Sequence, residues 1–129
     1  MDINLPEPHA ELSAAFARYE DALVNNRVEV LDELFWTSAH TVRYGVGENL
    51  YGIDEIRAFR NARPSQGLAR TLRRTVITTF GTDAGTAMTE FLREGTDMVG
   101  RQSQTWMRLP GHGWRVVAAH VSLMKPPAA

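Results

Sequence analysis

Four strand-like stretches fill the second half of the chain: RTLRRTVITTF (70–80), TAMTEFLRE (86–94), MVGRQSQTWMRL (98–109) and WRVVAAHVSLM (114–124). Their hydrophobic period is two, and they are rich in Thr, Val, Phe and Trp, which pleated sheets favour. Short turn segments separate them, namely GTD (81–83), GTD (95–97) and PGHG (110–113). Because turns this short join antiparallel neighbours, the pattern predicts a four-stranded antiparallel meander.

The first half of the chain has a helical period. Leu12, Phe16, Tyr19 and Leu23 recur at steps of four, three and four residues. This spacing predicts an amphipathic helix that follows a lead-in of residues 1–8. Tyr19 therefore lies on the apolar stripe of the first helix.

Two more helices and one short strand are predicted before the meander. A second helix runs from Val28 to about Trp36, and residues 41–44 are β-branched and aromatic enough for a strand. A third helix follows Gly52, and one of its faces carries Ile56, Phe59, Arg60 and Arg63. Two arginines thus sit on or beside the apolar stripe of that helix.

Three helices followed by an antiparallel sheet make an α+β order. Long strands twist and curl, so we expect the helices to pack into the concave side of a strongly curved sheet. The result is a cone with a pocket at its mouth, and such pockets are mostly apolar with a few converging polar groups. The 129 residues fit one domain, residues 1–129.

Composition excludes several classes of protein. Lys and Arg number 14 against 15 Asp and Glu, so there is no basic field for nucleic acid or an anionic membrane. The absence of Cys excludes disulfides and thiolate chemistry. No basic leader or bilayer-length apolar run is evident, so we expect a cytoplasmic protein.

Metal and cofactor sites are not indicated. The histidines have no paired spacing, since His9, His40, His112 and His120 fall on separate elements. Gly45 and Gly47 lack the further glycines of a phosphate-binding loop. We therefore expect neither a metal nor another cofactor.

Tyr19 and Arg43 are the most informative pair. An enclosed Tyr19 hydroxyl needs a polar partner. Arg43 lies mid-strand with no evident acid partner, and a guanidinium projecting into an apolar pocket calls for an anion, best a carboxylate. The alternative is that Arg43 reaches the surface while Tyr19 caps a backbone carbonyl.

Further candidates for substrate binding are Arg60, Arg63, Gln102, Gln104 and Trp36. Gln102 and Gln104 share one strand face, and their amides suit a small amide-like substrate. Trp36 could wall the mouth of the cone. The alternatives are that the two glutamines are ordinary polar residues of the sheet and that Trp36 lies in the core.

Glu90 is the only acid clearly placed in the middle of a strand. If desolvated inside the cone it would be a candidate general base. The competing interpretation is an outer-face residue paired with a neighbouring arginine. His120 and Ser122 share a face of the last strand, and the sequence leaves their orientation open.

Four stretches resemble AtzH-like proteins, the dicarboxyurea amidohydrolases and HpxZ oxalurate-catabolism proteins of the nuclear-transport-factor-2-like (SnoaL-like) superfamily. They are INLPEPHAELSAAFARYEDAL (3–23), VLDELFW (30–36), LYGIDEIRAFRNARPSQGLARTLRRTVITTFG (50–81) and GRQSQTWMRLPGHGWRVVAAHVSLM (100–124). The likeness covers nearly the whole chain. It implies the cone fold, and a homodimer formed through the outer face of the sheet.

The resemblance also implies a reaction, the removal of a carboxyl group from 1,3-dicarboxyurea to give allophanate in nitrogen catabolism. The tyrosine and arginine that act in the family fall on Tyr19 and Arg43. Arg43 would clamp a carboxylate of a small anionic ureido substrate, and Tyr19 would donate a proton to nitrogen. In the alternative mechanism, an activated water molecule attacks the carbonyl in the first step.

Two other functions compete with this one. The fold serves equally well for a non-catalytic partner that binds or stabilises a neighbouring amidase. An isomerase or dehydratase of the ketosteroid-isomerase type would instead need an acid in the middle of the sheet or an Asp–His pair in the pocket, and only Glu90 and His120 could serve.

Overall fold

The computed structural model describes residues 1–128, which form three helices and six strands. The helices are α1 (Pro6–Val24), α2 (Val28–Leu34) and α3 (Ile53–Ala62). The strands are β1 (Val42–Tyr44), β2 (Asn49–Tyr51), β3 (Thr71–Phe80), β4 (Ala84–Leu92), β5 (Val99–Leu109) and β6 (Gly113–Met124). The predicted α+β class is confirmed.

All six strands belong to one sheet with the order β2-β1-β6-β5-β4-β3. The predicted meander of β3 to β6 is confirmed, since each of these strands pairs antiparallel with the next. β1 joins the other edge by pairing parallel to β6. This pairing brings the short first strand beside the last strand and close to the helices.

The helices cover one face of the curled sheet. On that face Ala87, Gln104 and Trp106 are buried, while Met88 and His120 on the opposite face are exposed. The core packed between helices and sheet consists mainly of large apolar side chains, including Leu12, Phe16, Leu31, Leu34, Phe35, Ile56, Trp106 and Val116. Each such side chain contributes about 1.5–3 kcal/mol when it leaves water.

The first helix begins earlier than the sequence pattern predicts. α1 starts at Pro6, inside the segment expected to be a lead-in, and Pro8 is buried. Proline is tolerated in the first helical turn because its missing N–H would have no helical partner there. Among residues 1–128, no helix combines the length and the apolar character needed to cross a bilayer.

One strand was not predicted. β2 is only three residues long, too short for alternation to mark it, and it pairs antiparallel with β1. A tight turn joins the two strands, and the Gly45 N–H donates to the Glu48 carbonyl at 2.9 Å. This β1–β2 hairpin places Glu48 beside Arg43, which matters for the site.

Candidate anion-binding site

A small cavity lies between the three helices and the β1–β2 hairpin. It encloses about 10 Å³, room for roughly one water molecule. Five of the lining residues are apolar, namely Leu23, Leu31, Leu50, Ile56 and Phe59. The polar lining is one phenol and three guanidinium groups, those of Tyr19, Arg43, Arg60 and Arg63. The fold therefore brings together four of the seven residues predicted to be catalytic or substrate-binding.

Tyr19 is held in an aromatic cluster and is 5% exposed. Its ring lies edge-on to Trp106, with centroids 6.5 Å apart, and packs against Phe16 and Phe35 at 6.4 and 6.2 Å. The hydroxyl group makes no hydrogen bond to the other residues of 1–128. The phenol is thus fixed in position while its O–H stays free to donate.

Arg43 reaches the cavity from β1 with its side chain 14% exposed. Its guanidinium carbon lies 5.7 Å from the centre of the Phe59 ring. The expectation that Arg43 has no acid partner is wrong, because Nη1 donates to Glu48 Oε1 at 3.1 Å. The sequence did not reveal the Arg43–Glu48 pair because the β1–β2 hairpin, which brings the two residues together, was not predicted.

The turn at Gly45 makes the Arg43–Glu48 contact possible. A Cβ at Gly45 would lie 1.6 Å from Glu48 Oε1. The Glu48 carboxylate therefore occupies the space that a side chain at Gly45 would need. A glycine here lets the carboxylate fold back toward Arg43.

Arg60 is the most deeply buried of the cavity arginines, at 5% exposure. Its Nη1 donates to Asp32 Oδ1 at 2.5 Å, and its guanidinium carbon lies 4.8 Å from the Phe35 ring centre. Burial lowers the pKa of Arg60, with the nearby Tyr19 and Asp32 acting in the opposite direction. The Asp32 carboxylate balances this buried charge.

Arg63 follows the last residue of α3 and has no acid partner within residues 1–128. Its Nε and Nη2 atoms are buried and without a hydrogen-bond partner. Burial lowers the pKa of Arg63, Tyr19 opposes that shift, and the neighbouring Arg60 and Arg43 add to it. An unpaired buried guanidinium that lies among other cations is stabilised when it binds an anion.

Two further arginines that sequence reasoning missed lie beside this cluster. Arg70 donates from Nε and Nη2 to the two Glu20 oxygens at 2.9 and 2.7 Å, and Glu20 is the α1 neighbour of Tyr19. Arg93 shares the Phe91 ring with Arg70 and has a buried Nε without a partner. Alternation along β4 puts residue 93 on the same face as Phe91, a signal that the sequence did contain.

The charges around Tyr19 do not balance. Five guanidinium groups gather there, and three of them have a carboxylate partner. The other two, on Arg63 and Arg93, have none within the described chain. The surroundings of Tyr19 thus carry two positive charges in excess.

The other predicted substrate-binding residues do not line the cavity. Gln104 supports it from behind, because its Oε1 accepts a 3.0 Å hydrogen bond from Nε1 of Trp106, the neighbour of Tyr19. Gln102 accepts a 3.0 Å hydrogen bond from Arg70. Trp36 lies in a separate surface groove and stacks on His40 with centroids 6.2 Å apart.

Glu90 lies on the outer face of the sheet and pairs with Arg73 at 3.0 Å. His120 and Ser122 line a groove on the same outer face. Neither Glu90 nor His120 lines the cavity that contains Tyr19, so they supply neither the acid nor the Asp–His pair that an isomerase of the ketosteroid type would need there. Within residues 1–128, no cluster of three or more His, Asp or Glu side chains is placed to hold a metal ion.

The arrangement of three helices on a curled sheet is the fold of the nuclear-transport-factor-2-like superfamily. A protein of that superfamily from Salmonella enterica has a TM-score of 0.71 at 23% identity, over 95% of this chain and 93% of its own. The family is narrower: a model of the AtzH-like family matches residues 1–127. The chain belongs to the AtzH-like family.

Two solved structures share more of the sequence. A protein of unknown function from Pectobacterium atrosepticum is 63% identical, with 96% of each chain covered and a TM-score of 0.94. A cystatin-like fold protein from Burkholderia xenovorans is 49% identical, with 98% of this chain and 99% of that chain covered and a TM-score of 0.95. No curated protein matches the sequence.

Proposed function

We propose that this protein removes a carboxyl group from an N-carboxylated urea, converting 1,3-dicarboxyurea into allophanate. The observation that carries the proposal is the excess of positive charge around an enclosed phenol that makes no hydrogen bond to another residue of 1–128. Membership of the AtzH-like family points to the same chemistry. Arginine is suited to this substrate because its planar group binds a carboxylate through two parallel hydrogen bonds.

Arg43 is the proposed carboxylate clamp. Its Nη1 is taken by Glu48, which leaves the other N–H groups of the guanidinium for a ligand in the cavity. The Glu48 pair and the Phe59 ring hold the guanidinium in one orientation. A positioned clamp of this kind fixes the substrate for reaction and lowers the entropic part of the barrier.

Tyr19 is the proposed proton donor. Its hydroxyl proton passes to the substrate nitrogen that bears the leaving carboxylate, and the C–N bond breaks with its electron pair staying on nitrogen. Carbon dioxide leaves, allophanate remains, and the phenolate regains a proton from solvent. The cationic surroundings stabilise the phenolate while it exists.

The cavity must widen to accept this substrate. The enclosed 10 Å³ holds about one water, whereas dicarboxyurea has ten non-hydrogen atoms. Arg63 is the wall residue best placed to move, because it follows the end of α3 and precedes the exposed segment 64–67. We expect Arg63 to swing outward and then close on the bound carboxylate.

The direct test is allophanate formation from 1,3-dicarboxyurea, measured above the spontaneous rate together with carbon dioxide release. Acceleration by the purified protein supports the proposal. Tyr51→Phe is a matched control, since this tyrosine is 55% exposed and lies away from the cavity. A protein that gives no acceleration, yet keeps a co-expressed amidase soluble, is instead the non-catalytic partner described above.

A further inference from the structure

Arg93 stands apart from the other arginines near Tyr19 because it has no acid partner within residues 1–128 and no place in the reaction described so far. It directly follows β4 and lies on the same sheet face as Phe91, which is 1% exposed. Its guanidinium carbon is 5.0 Å from the centre of the Phe91 ring. Its Nε is buried and has no hydrogen-bond partner among the described residues.

The strand register places Arg70 opposite Arg93. Thr71 pairs with Leu92, so the next position on each strand brings residues 70 and 93 face to face. Arg70 is engaged through Nε and Nη2, because Glu20 accepts two hydrogen bonds from it and Gln102 accepts a third. Glu20 is therefore used by Arg70, and Arg93 has no carboxylate partner in the part of the chain that the structure describes.

The surroundings of Arg93 disfavour an unbalanced charge. Burial, reinforced by the positive charge of Arg70, lowers the pKa of Arg93, while Glu20 and Tyr19 oppose the shift. Arg93 in turn contributes to the lowered pKa of Arg63. Arg63 lines the cavity beside Tyr19, and Arg93 lies on the Phe91 ring with Arg70, which binds the α1 neighbour of Tyr19. An anionic group bound by both Arg63 and Arg93 would offset their like charges.

We propose that Arg93, together with Arg63, binds a second carboxylate, so that Arg93 is the residue that selects a dianionic ligand over a monoanionic one. Two excess positive charges are neutralised by two carboxylates and only half neutralised by one. The identity of the ligand as a ureido dianion rests on the proposed function, whereas the preference for two carboxylates rests on the arginines alone.

The proposal gives Arg93 a part in turnover. Loss of one carboxyl group turns a dianion into a monoanion, which can satisfy the Arg43 clamp or the Arg63–Arg93 pair but not both. The product therefore binds more weakly than the substrate, and release is favoured. Arg93 acts by binding substrate and takes no part in proton transfer.

Glutarate is a suitable probe because its two carboxylates are separated by as many atoms as those of dicarboxyurea, and it does not react. Its monomethyl ester has nearly the same shape with one charge removed. Calorimetric titration of the intact protein should show glutarate binding at least about tenfold more tightly than the ester. In Arg93→Gln this preference should fall to about twofold or less.

Two variants make the result specific. Arg101→Gln removes the same charge from the exposed outer face of the same sheet and should leave the preference unchanged. Arg93→Lys keeps the charge without the two-pronged geometry and should give an intermediate preference. Circular dichroism checks that each variant is folded, and the lysine variant carries the test if glutamine prevents folding.

The outcomes separate this inference from the proposed function. A glutarate preference that survives in folded Arg93→Gln overturns the inference, even if dicarboxyurea is turned over. Loss of the preference in Arg93→Gln, combined with no turnover by the wild type, overturns the proposed function and leaves the dianion site standing. Equal binding of glutarate and its ester by the wild type also overturns the inference.

Discussion

The Tyr19 hydroxyl is the smallest group on which the proposed chemistry depends. The ring is fixed by Phe16, Phe35 and Trp106, and the O–H makes no hydrogen bond to residues 1–128. Removing that one atom therefore removes a proton donor without leaving a broken hydrogen bond behind.

Tyr19→Phe should abolish turnover of dicarboxyurea while the free energy of unfolding changes by about 0.5 kcal/mol or less. Steady-state kinetics and urea denaturation measure the two effects. Glutarate affinity should stay near the wild-type value, because the arginines are untouched. A Tyr19→Phe protein with the wild-type kcat would show that the phenol is not the proton donor.

The pair formed by Arg43 and Glu48 predicts opposite effects for substitutions of its two members. Glu48→Gln keeps an acceptor for Arg43 but removes a competing negative charge, so glutarate should bind about fivefold more tightly. Arg43→Lys replaces a two-pronged donor with a point charge and should weaken binding by about tenfold. Titration calorimetry of both variants tests this, and equal affinities in the two would show that Arg43 does not bind the ligand.

At the scale of elements, the approach of β4 to β5 determines where the arginine-bearing face lies. Phe91 pairs with Gly100, and a Cβ at Gly100 would come within 2.1 Å of the Phe91 ring. The ring thus lies across the glycine and carries Arg70 and Arg93 near it, with guanidinium carbons at 4.5 and 5.0 Å from its centre.

Gly100→Ala should displace the Phe91 ring and destabilise the protein by about 1–3 kcal/mol, as overpacking of a core does. Because both arginines near the ring must shift, the preference for glutarate over its ester should also fall. Gly47→Ala is the matched control, since nothing lies within 4 Å of a Cβ there. Thermal denaturation of both variants distinguishes a local clash from a general effect of alanine.

The α1–α2 pair is tied by an ion pair that predicts a pH effect. Arg18 Nη2 donates to Glu33 Oε2 at 2.6 Å, and this hydrogen bond holds the pKa of Glu33 below its ordinary value of 4.5. Because the pKa of Glu33 is lower in the folded protein than in the unfolded chain, the ion pair stabilises the fold at neutral pH. This stabilisation is lost as the pH falls through the folded-state pKa of Glu33.

Arg18→Gln should return the pKa of Glu33 toward 4.5, which a carbon-13 NMR titration of the carboxyl group measures. Both side chains are about half exposed, so the loss in the free energy of unfolding at neutral pH should be only about 0.3 kcal/mol. The difference between the two proteins should vanish once Glu33 is protonated in both. A Glu33 pKa that is unchanged by the substitution would contradict the role given to Arg18.

At the scale of the whole molecule, the outer face of the sheet is the surface through which we expect a homodimer to form. Val76 and Met88 pair across β3 and β4 there and are 56% and 47% exposed. Met88 is followed across the sheet by Ser103 and His120. Exposed apolar side chains in the middle of a sheet are typical of surfaces that another chain covers.

Met88→Glu should therefore shift the protein from dimer to monomer, as measured by sedimentation velocity. Val46→Glu is the matched control, because Val46 is 57% exposed in the β1–β2 turn, away from this face. It should leave the sedimentation coefficient unchanged. A wild-type protein that sediments as a monomer at all concentrations would refute the dimer.

Local sequence patterns predicted most of the fold. The helical stripe through Leu12 and Tyr19 and the turns that separate the four long strands predicted those elements to within a few residues. The predicted helix boundaries were wrong where a residue is compatible with both a loop and a helix. Pro6 is an example, because proline is tolerated in the first turn of a helix. β2 escaped because three residues cannot show a period.

The candidate site was predictable where one element carries several of its residues. Arg60 and Arg63 share a helical face, and Tyr19 lies on the stripe of α1, so helical periodicity places them inward. Arg70 and Arg93 meet through strand register, which alternation within a single strand cannot supply. Trp36 could not be placed, because an aromatic residue after a helix suits a core, a groove or a pocket equally well.

The order of residues alone settled the class of fold and the sidedness of each element, since periods of 3.6 and 2.0 are properties of neighbouring residues along one chain. Which charges cancel was settled in three dimensions. Glu48 meets Arg43 across a turn, Glu20 meets Arg70 over fifty positions, and Arg93 has no carboxylate partner among residues 1–128. Electrostatic interaction depends on distance through space and on burial, and packing sets both.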